Sequence, residues 1–237
     1  RTSGARVLYT VPTLQNPTAR VMSPARRAAI AAMARRHDLT IVEDDIYAHF
    51  ARTLPLGPIA NLAPERTYLI TGLSKAMAPG LRAGYLAVPD ETCLDALARA
   101  ARATIFAPAG LPFALASQLI ESGMASAIVG EVHDEICART LVAQNILGDA
   151  IEQPATPASL HLWLPMGELE AERAAGRAMR AGLLLMPPGA GAINGDAETG
   201  LRVSLGAVGE RAHLLQALTL LRDALTGEVG SHARSLI

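Results

Sequence analysis

Apolar and polar positions alternate along this chain in two regimes. Residues 7–12 form a β-rich apolar run that ends at Pro12, and Val7-Leu8-Tyr9-Thr10-Val11 reads as a buried strand. A polar loop, 13–22, leads to Ser23-Pro24, the side-chain cap and first residue of a predicted helix that runs to about Arg36. Basic residues in its last turn suit the negative end of the helix dipole. A strand over 39–42 ends in Glu43-Asp44-Asp45, and this strand–helix–strand order predicts a parallel pair. Further strands are expected at 67–70 and 83–88, and a helix at 91–102. A linker is expected around 108–112, then a long Ala-rich helical stretch over 111–147 interrupted at Gly123 and Gly130.

Beyond that stretch the pattern changes. Residues 160–164 alternate as a strand and 168–180 read as a helix. Residues 183–186 and 201–205 read as short strands, 210–225 as an amphipathic helix, and 227–237 as a frayed tail. The reading is an α/β part with a mainly parallel sheet over 1–115, then an interdomain helix and a small α+β domain over 116–237, with the change placed near 115–125. Arg1 stands one step from an apolar strand, which is the expectation for a piece of a longer chain.

Composition changes this picture in few places. Half of the 237 residues are hydrophobic and the formal net charge is -1, so a packed core is expected and no basic excess marks a nucleic-acid surface. The charge-free stretch 103–120 contains Pro108, Gly110 and Pro112 and is not read as a membrane span. Cys93 and Cys137 lie far apart and are read as reduced structural thiols, consistent with a cytoplasmic protein. His133 and Cys137 share a helix face without an evident third ligand, so no metal site is expected. Of 21 basic residues, 20 are Arg, and Lys75 is the single Lys.

Different polar residue types gather at predicted strand ends: Asn16, Asp44 with Tyr47, Lys75, and Arg82. In open α/β sheets, ligands collect outside the carboxyl ends of strands. An amine, a carboxylate, hydroxyl and amide donors, and guanidinium groups are the set needed to hold a phosphorylated aldehyde cofactor and an amino compound. Asp45 reads instead as the cap of a following helix.

Three segments carry a definite likeness: Thr13-Leu14-Gln15-Asn16-Pro17-Thr18, Glu43-Asp44-Asp45-Ile46-Tyr47, and Ser74-Lys75-Ala76-Met77-Ala78-Pro79-Gly80-Leu81-Arg82. In order and spacing they resemble the signature blocks of fold-type-I, pyridoxal-phosphate-dependent aminotransferases. With His161-Leu162-Trp163-Leu164 they are most similar to the aminotransferase-like domain of MocR-type regulators, where a GntR-type winged helix precedes it.

The resemblance implies a Schiff base of pyridoxal 5'-phosphate at Lys75. It also implies a pairing of Asp44 with the pyridine nitrogen, contacts of Asn16 and Tyr47 with the ring oxygen, phosphate contacts from Arg82 and Ser74, and a substrate carboxylate held by Arg202. It implies a cis Asn16–Pro17 bond, a homodimer, an amino-acid-like ligand, and DNA contacted only through the winged helix. Two departures stand out. Gly72 takes a position where the family has Ser or Thr, and Ala19 one where it has Gly, a mild change for backbone with negative φ. The family's glycine-rich phosphate loop and ring-stacking aromatic belong to a part preceding Arg1, so weak cofactor binding is expected of these residues alone. A stand-alone aminotransferase and a cofactor-free dimerisation module are the alternative readings.

Overall fold

The computed structural model describes residues 4–186, 189 and 198–227. It separates into two compact units. One comprises Arg1–Leu14 with Val21–His133, the other Gln15–Arg20 with Asp134–Ile237.

The first unit is built on a sheet of four strands in the order β1 (Val7–Thr10), β2 (Thr40–Asp44), β3 (Thr67–Gly72), β4 (Gly84–Ala87). The first three are parallel, with Tyr9 opposite Val42 and Asp44 opposite Ile70; β4 runs antiparallel to β3, with Gly72 opposite Gly84. Helix α1 (Pro24–His37) joins β1 to β2. The Ser23 side chain accepts from the Arg26 amide at its start, and Asp38 closes it with φ 51°. Its Ala31 and Ala34 pack with Ile41, Ile59 and Ala63. Ile41 and Glu43 therefore point into one packed face of the sheet. Val42 and Asp44 share the other face with Val7 and Tyr9.

That second face is open at its edge, with Val7 57% and Tyr9 59% exposed. The buried strand expected at 7–11 is thus an edge strand with one half-covered face.

Beyond β3 come α2 (Leu73–Ala76), α3 (Glu91–Ile105), α4 (Gly110–Glu121) and α5 (Met124–Leu147). The expected linker at 108–112 is in part the first turn of α4. Gly123, at φ 77°, separates α4 from α5, whereas Gly130 lies inside a continuous helix.

The second unit pairs β5 (His161–Pro165) antiparallel with β6 (Gly200–Ser204) and includes α6 (Glu168–Arg180) and α7 (Arg211–Thr226). Small residues of α6, Ala171 and Ala174, pack in one core with Leu214, Leu218 and Leu221 of α7 and with Leu162, Leu164 and Leu201 of the sheet. Gly200 belongs to a close strand approach. A Cβ there would lie 2.4 Å from the Leu164 carbonyl oxygen and 2.7 Å from the Trp163 ring.

The strand expected at 183–186 does not form. Gly182, at φ 86°, closes α6, with the Leu183 amide donating to the Ala178 carbonyl and the Gly182 amide to Met179. Leu183 and Leu185 then pack against the core while Leu184 is exposed, so the leucine run is an apolar cap without a ladder partner. Of the frayed tail expected over 227–237, Gly227 closes α7 with φ 84°, and 228–237 lie outside the described residues. Among the described residues no single helix is long and apolar enough to cross a membrane.

Candidate functional site

The carboxyl end of the parallel strands carries most of the residues singled out above. Asp44 is the last residue of β2. Its Oδ2 accepts a 2.6 Å hydrogen bond from the Tyr9 hydroxyl and its Oδ1 a longer one, 3.4 Å, from the Ile46 amide. The bonded Asp44 carboxylate pushes the Tyr9 hydroxyl up to about 12, with burial and Tyr47 adding to it. Tyr47 is buried where the chain leaves β2 and enters a 3-10 turn, Ala48–Ala51.

Lys75 lies in the single turn of helix that follows β3. Leu73, Leu81 and Ala83 pack with Ala116, and Met77 and Phe113 lie against them. This anchoring leaves Lys75 and Arg82 exposed on the same segment. Neither has a hydrogen bond or ion pair among the described residues, so the Lys75 amine is unengaged. Arg82 has left-handed backbone, φ 47°, just before β4. Ser74 is half-buried beside Lys75. Gly72, which departs from the family pattern, sits at the cross-strand contact with β4: a Cβ there would come within 3.3 Å of the Ala83 carbonyl oxygen.

Asn16 and Arg202 belong to the second unit. The Asn16–Pro17 bond is cis. Arg202, on β6 opposite Trp163, donates through Nη1 to Asn16 Oδ1 at 3.1 Å, and its buried Nε has no partner among the described residues. The loop bearing Asn16 is further held by His161 Nε2, 3.2 Å from the Gln15 carbonyl oxygen, and by Arg20, whose guanidinium spans Glu152 and Glu198. Ala19 in this loop has φ 58°, so the substitution for Gly falls on left-handed backbone and is not the mild change expected.

Two features were not foreseen. One is the Tyr9–Asp44 bond. Tyr9 reads as a core aromatic, and only the strand register places it two residues back from Asp44 on the same face. The other is a buried charge cluster under Asp44. Arg27, 2% exposed, donates to the carbonyl oxygens of Pro12, Met22 and Gly57 and to Thr13 Oγ1, and lies 3.9 Å from Glu43. Glu43 accepts from the Ile59 and Ala60 amides at 2.7 and 2.8 Å. Asp45, expected to cap a helix, is instead buried and bonded to Thr13. Burial pushes both the Glu43 and Asp45 carboxyls up.

The set in the first unit suits a phosphorylated heterocyclic aldehyde such as the resemblance implies. An unengaged amine can condense with the aldehyde, a carboxylate held through one oxygen can pair with a ring nitrogen, and an exposed guanidinium can take a phosphate. Among the described residues no group of three or more His, Cys, Asp or Glu side chains is placed to hold a metal, and neither Cys93 nor Cys137 is in a disulfide.

Known proteins resemble this chain in sequence and in fold. The uncharacterized HTH-type transcriptional regulator YdeF of Bacillus subtilis is 39% identical over 84 residues, which are 35% of this chain and 18% of that protein. The uncharacterized HTH-type transcriptional regulator YdfD of the same organism is 32% identical over 155 residues, 65% of this chain and 32% of that protein. The crystal structure of LysN, an alpha-aminoadipate aminotransferase from Thermus thermophilus complexed with N-(5'-phosphopyridoxyl)-L-leucine, is 25% identical. It matches with a TM-score of 0.80 over 93% of this chain and 59% of that one. The chain thus spans no more than about a third of these regulators' length. The family model of aminotransferase class I and II matches residues 4–220. With nearly the whole chain matched by that model, and with its fold, this protein belongs to the class I and II aminotransferases.

Proposed function

We propose that this chain is the pyridoxal-phosphate-binding, aminotransferase-like domain of a MocR/GntR-type transcriptional regulator, and that it senses an amino compound through Lys75. The observation that carries the reading is the single lysine, unengaged in the turn that follows β3 at the strand edge where Asp44 ends β2. The regulator reading rests on the helix-turn-helix relatives.

When bound, pyridoxal phosphate supplies an aldehyde that condenses with amines and a ring that withdraws electrons. The roles of the chain's own groups are those that the resemblance implies. Lys75 would offer the nucleophilic amine, and an incoming amino compound would compete with it for the same aldehyde. Asp44 holds a proton on the ring nitrogen, with its carboxylate fixed by Tyr9 and Ile46. By the same resemblance, Tyr47 and Asn16 would be the donors to the ring oxygen, and Arg82 and Ser74 would hold the phosphate. Arg202, kept in place by Asn16, takes the carboxylate of the amino compound. DNA is reached through a winged-helix domain of the longer protein, and the protein works as a homodimer in the cytoplasm.

The aminotransferase LysN supports a second reading, in which the same residues run amino-acid to oxo-acid exchange. The test uses the intact protein with pyridoxal phosphate and follows the visible absorbance through desalting. The band is expected in the wild type and absent in Lys75→Ala; no band in the wild type defeats the cofactor reading. Operator binding that changes with an added amino acid, without turnover, favours the regulator. Conversion of amino acids to oxo acids at enzyme-like rates favours the aminotransferase.

A further inference from the structure

We propose that Tyr9 is a positioning residue for Asp44, holding its carboxylate in the one rotamer that serves the cofactor ring; the inference rests on the cofactor reading above. Tyr9 stands opposite Val42 in the parallel register, so Asp44 lies two residues further along the neighbouring strand on the same face. Two residues of strand are about 6.6 Å, which is the reach of a phenol leaning along its strand. The hydroxyl arrives at 2.6 Å from Asp44 Oδ2. The other oxygen has only the 3.4 Å contact with the Ile46 amide, which by itself is a weak restraint.

Asp44 ends its strand half-buried, on the sheet face that it shares with Tyr9. Val7 and Tyr9, on that face, are both more than half exposed. A carboxylate at such a strand end samples several rotamers unless a donor selects one. Tyr9 is that donor. Its hydrogen bond is to an ionised acceptor, so it carries more orientation than a neutral bond of the same length. Tyr9 does not touch the reacting atoms in this account; it acts through Asp44.

The experiment has two arms on the intact protein, so that failure of the contact and failure of the cofactor reading are told apart. The first arm needs no cofactor. The difference in tyrosinate absorbance between wild type and Tyr9→Phe is followed with pH. The wild-type step at Tyr9 is expected near 12, and in Asp44→Ala it returns toward the ordinary value of about 10. A step that stays where it was in Asp44→Ala overturns the contact.

The second arm measures the affinity for pyridoxal phosphate and the pH dependence of its visible absorbance. Tyr9→Phe keeps the ring and its packing, and is expected to weaken affinity about threefold to tenfold and to move the pH midpoint. Unchanged affinity and midpoint in Tyr9→Phe overturn the positioning role even where the first arm succeeds. A wild type that binds no pyridoxal phosphate defeats the cofactor reading and the positioning role with it, while the first arm still reports on the bond.

Discussion

Replacing Arg27 by Met removes a buried guanidinium from beside two buried carboxyls. Arg27 and Glu43 are 2% and 0% exposed in their side chains, 3.9 Å apart, and Asp45 is buried beside them. Methionine fills much of the same volume, so the perturbation is mainly electrostatic and in hydrogen bonding. Three carbonyl oxygens and Thr13 Oγ1 each lose a donor, with the Pro12 oxygen keeping the Met22 amide. Each costs about 1 kcal/mol, and leaving one member of a buried pair unpartnered costs about 3–5 kcal/mol in all. Against a typical domain stability of about 5–15 kcal/mol, that is a large share.

The pH dependence has a definite sign. Burial already pushes the Glu43 and Asp45 carboxyls up, and losing Arg27 pushes them further. A carboxyl raised in the folded state favours folding below its unfolded value, 4.5 for Glu43 and 3.8 for Asp45, and that advantage is lost as pH rises through the folded value. The deficit of Arg27→Met is therefore largest at neutral pH and shrinks toward pH 5. The assay is urea unfolding at both pH values, repeated in the double variant Arg27→Met/Glu43→Gln, which is expected to lose less than the sum of the single losses. A midpoint equal to wild type at pH 7, or a deficit that does not change with pH, refutes the reasoning.

Two further predictions concern backbone. Asp38 closes α1 with left-handed backbone and sets a negative charge at the negative end of the helix dipole, so Asp38→Gly is expected to stabilise by about 0.5–1 kcal/mol in urea unfolding; a lower midpoint contradicts this. At Gly200 an added methyl meets the Leu164 carbonyl and the Trp163 ring, so Gly200→Ala is expected to cost about 1–3 kcal/mol; an unchanged melting temperature, followed by Trp163 fluorescence, contradicts the close approach.

What could be read from the sequence was set by local chemistry. Helix Glu168–Arg180 was legible to the residue because its apolar spacing ends at a Gly that closes it. The three signature blocks located Lys75, Asp44 and Asn16 because each block is contiguous. What stayed hidden depends on pairing between distant segments. Leu183-Leu184-Leu185 has the composition of a strand, but among the described residues no strand pairs with it. The left-handed backbone at Ala19 comes from the turn that returns Arg20 to Gln15, which a residue with a Cβ does not advertise. Arg27 lies in a helix rich in exposed arginines, so nothing local distinguishes the one that is buried. Tyr9 reads as core until the register of β1 on β2 is known.

The most direct measurement is borohydride reduction of the intact protein in the presence of pyridoxal phosphate, followed by peptide mass mapping. Within these 237 residues Lys75 is the only lysine. A reduced pyridoxyl label is expected on the peptide that carries Lys75, diminished when an amino acid is added before reduction. A Lys75 peptide recovered unlabelled under conditions that label other lysines of the protein would contradict it.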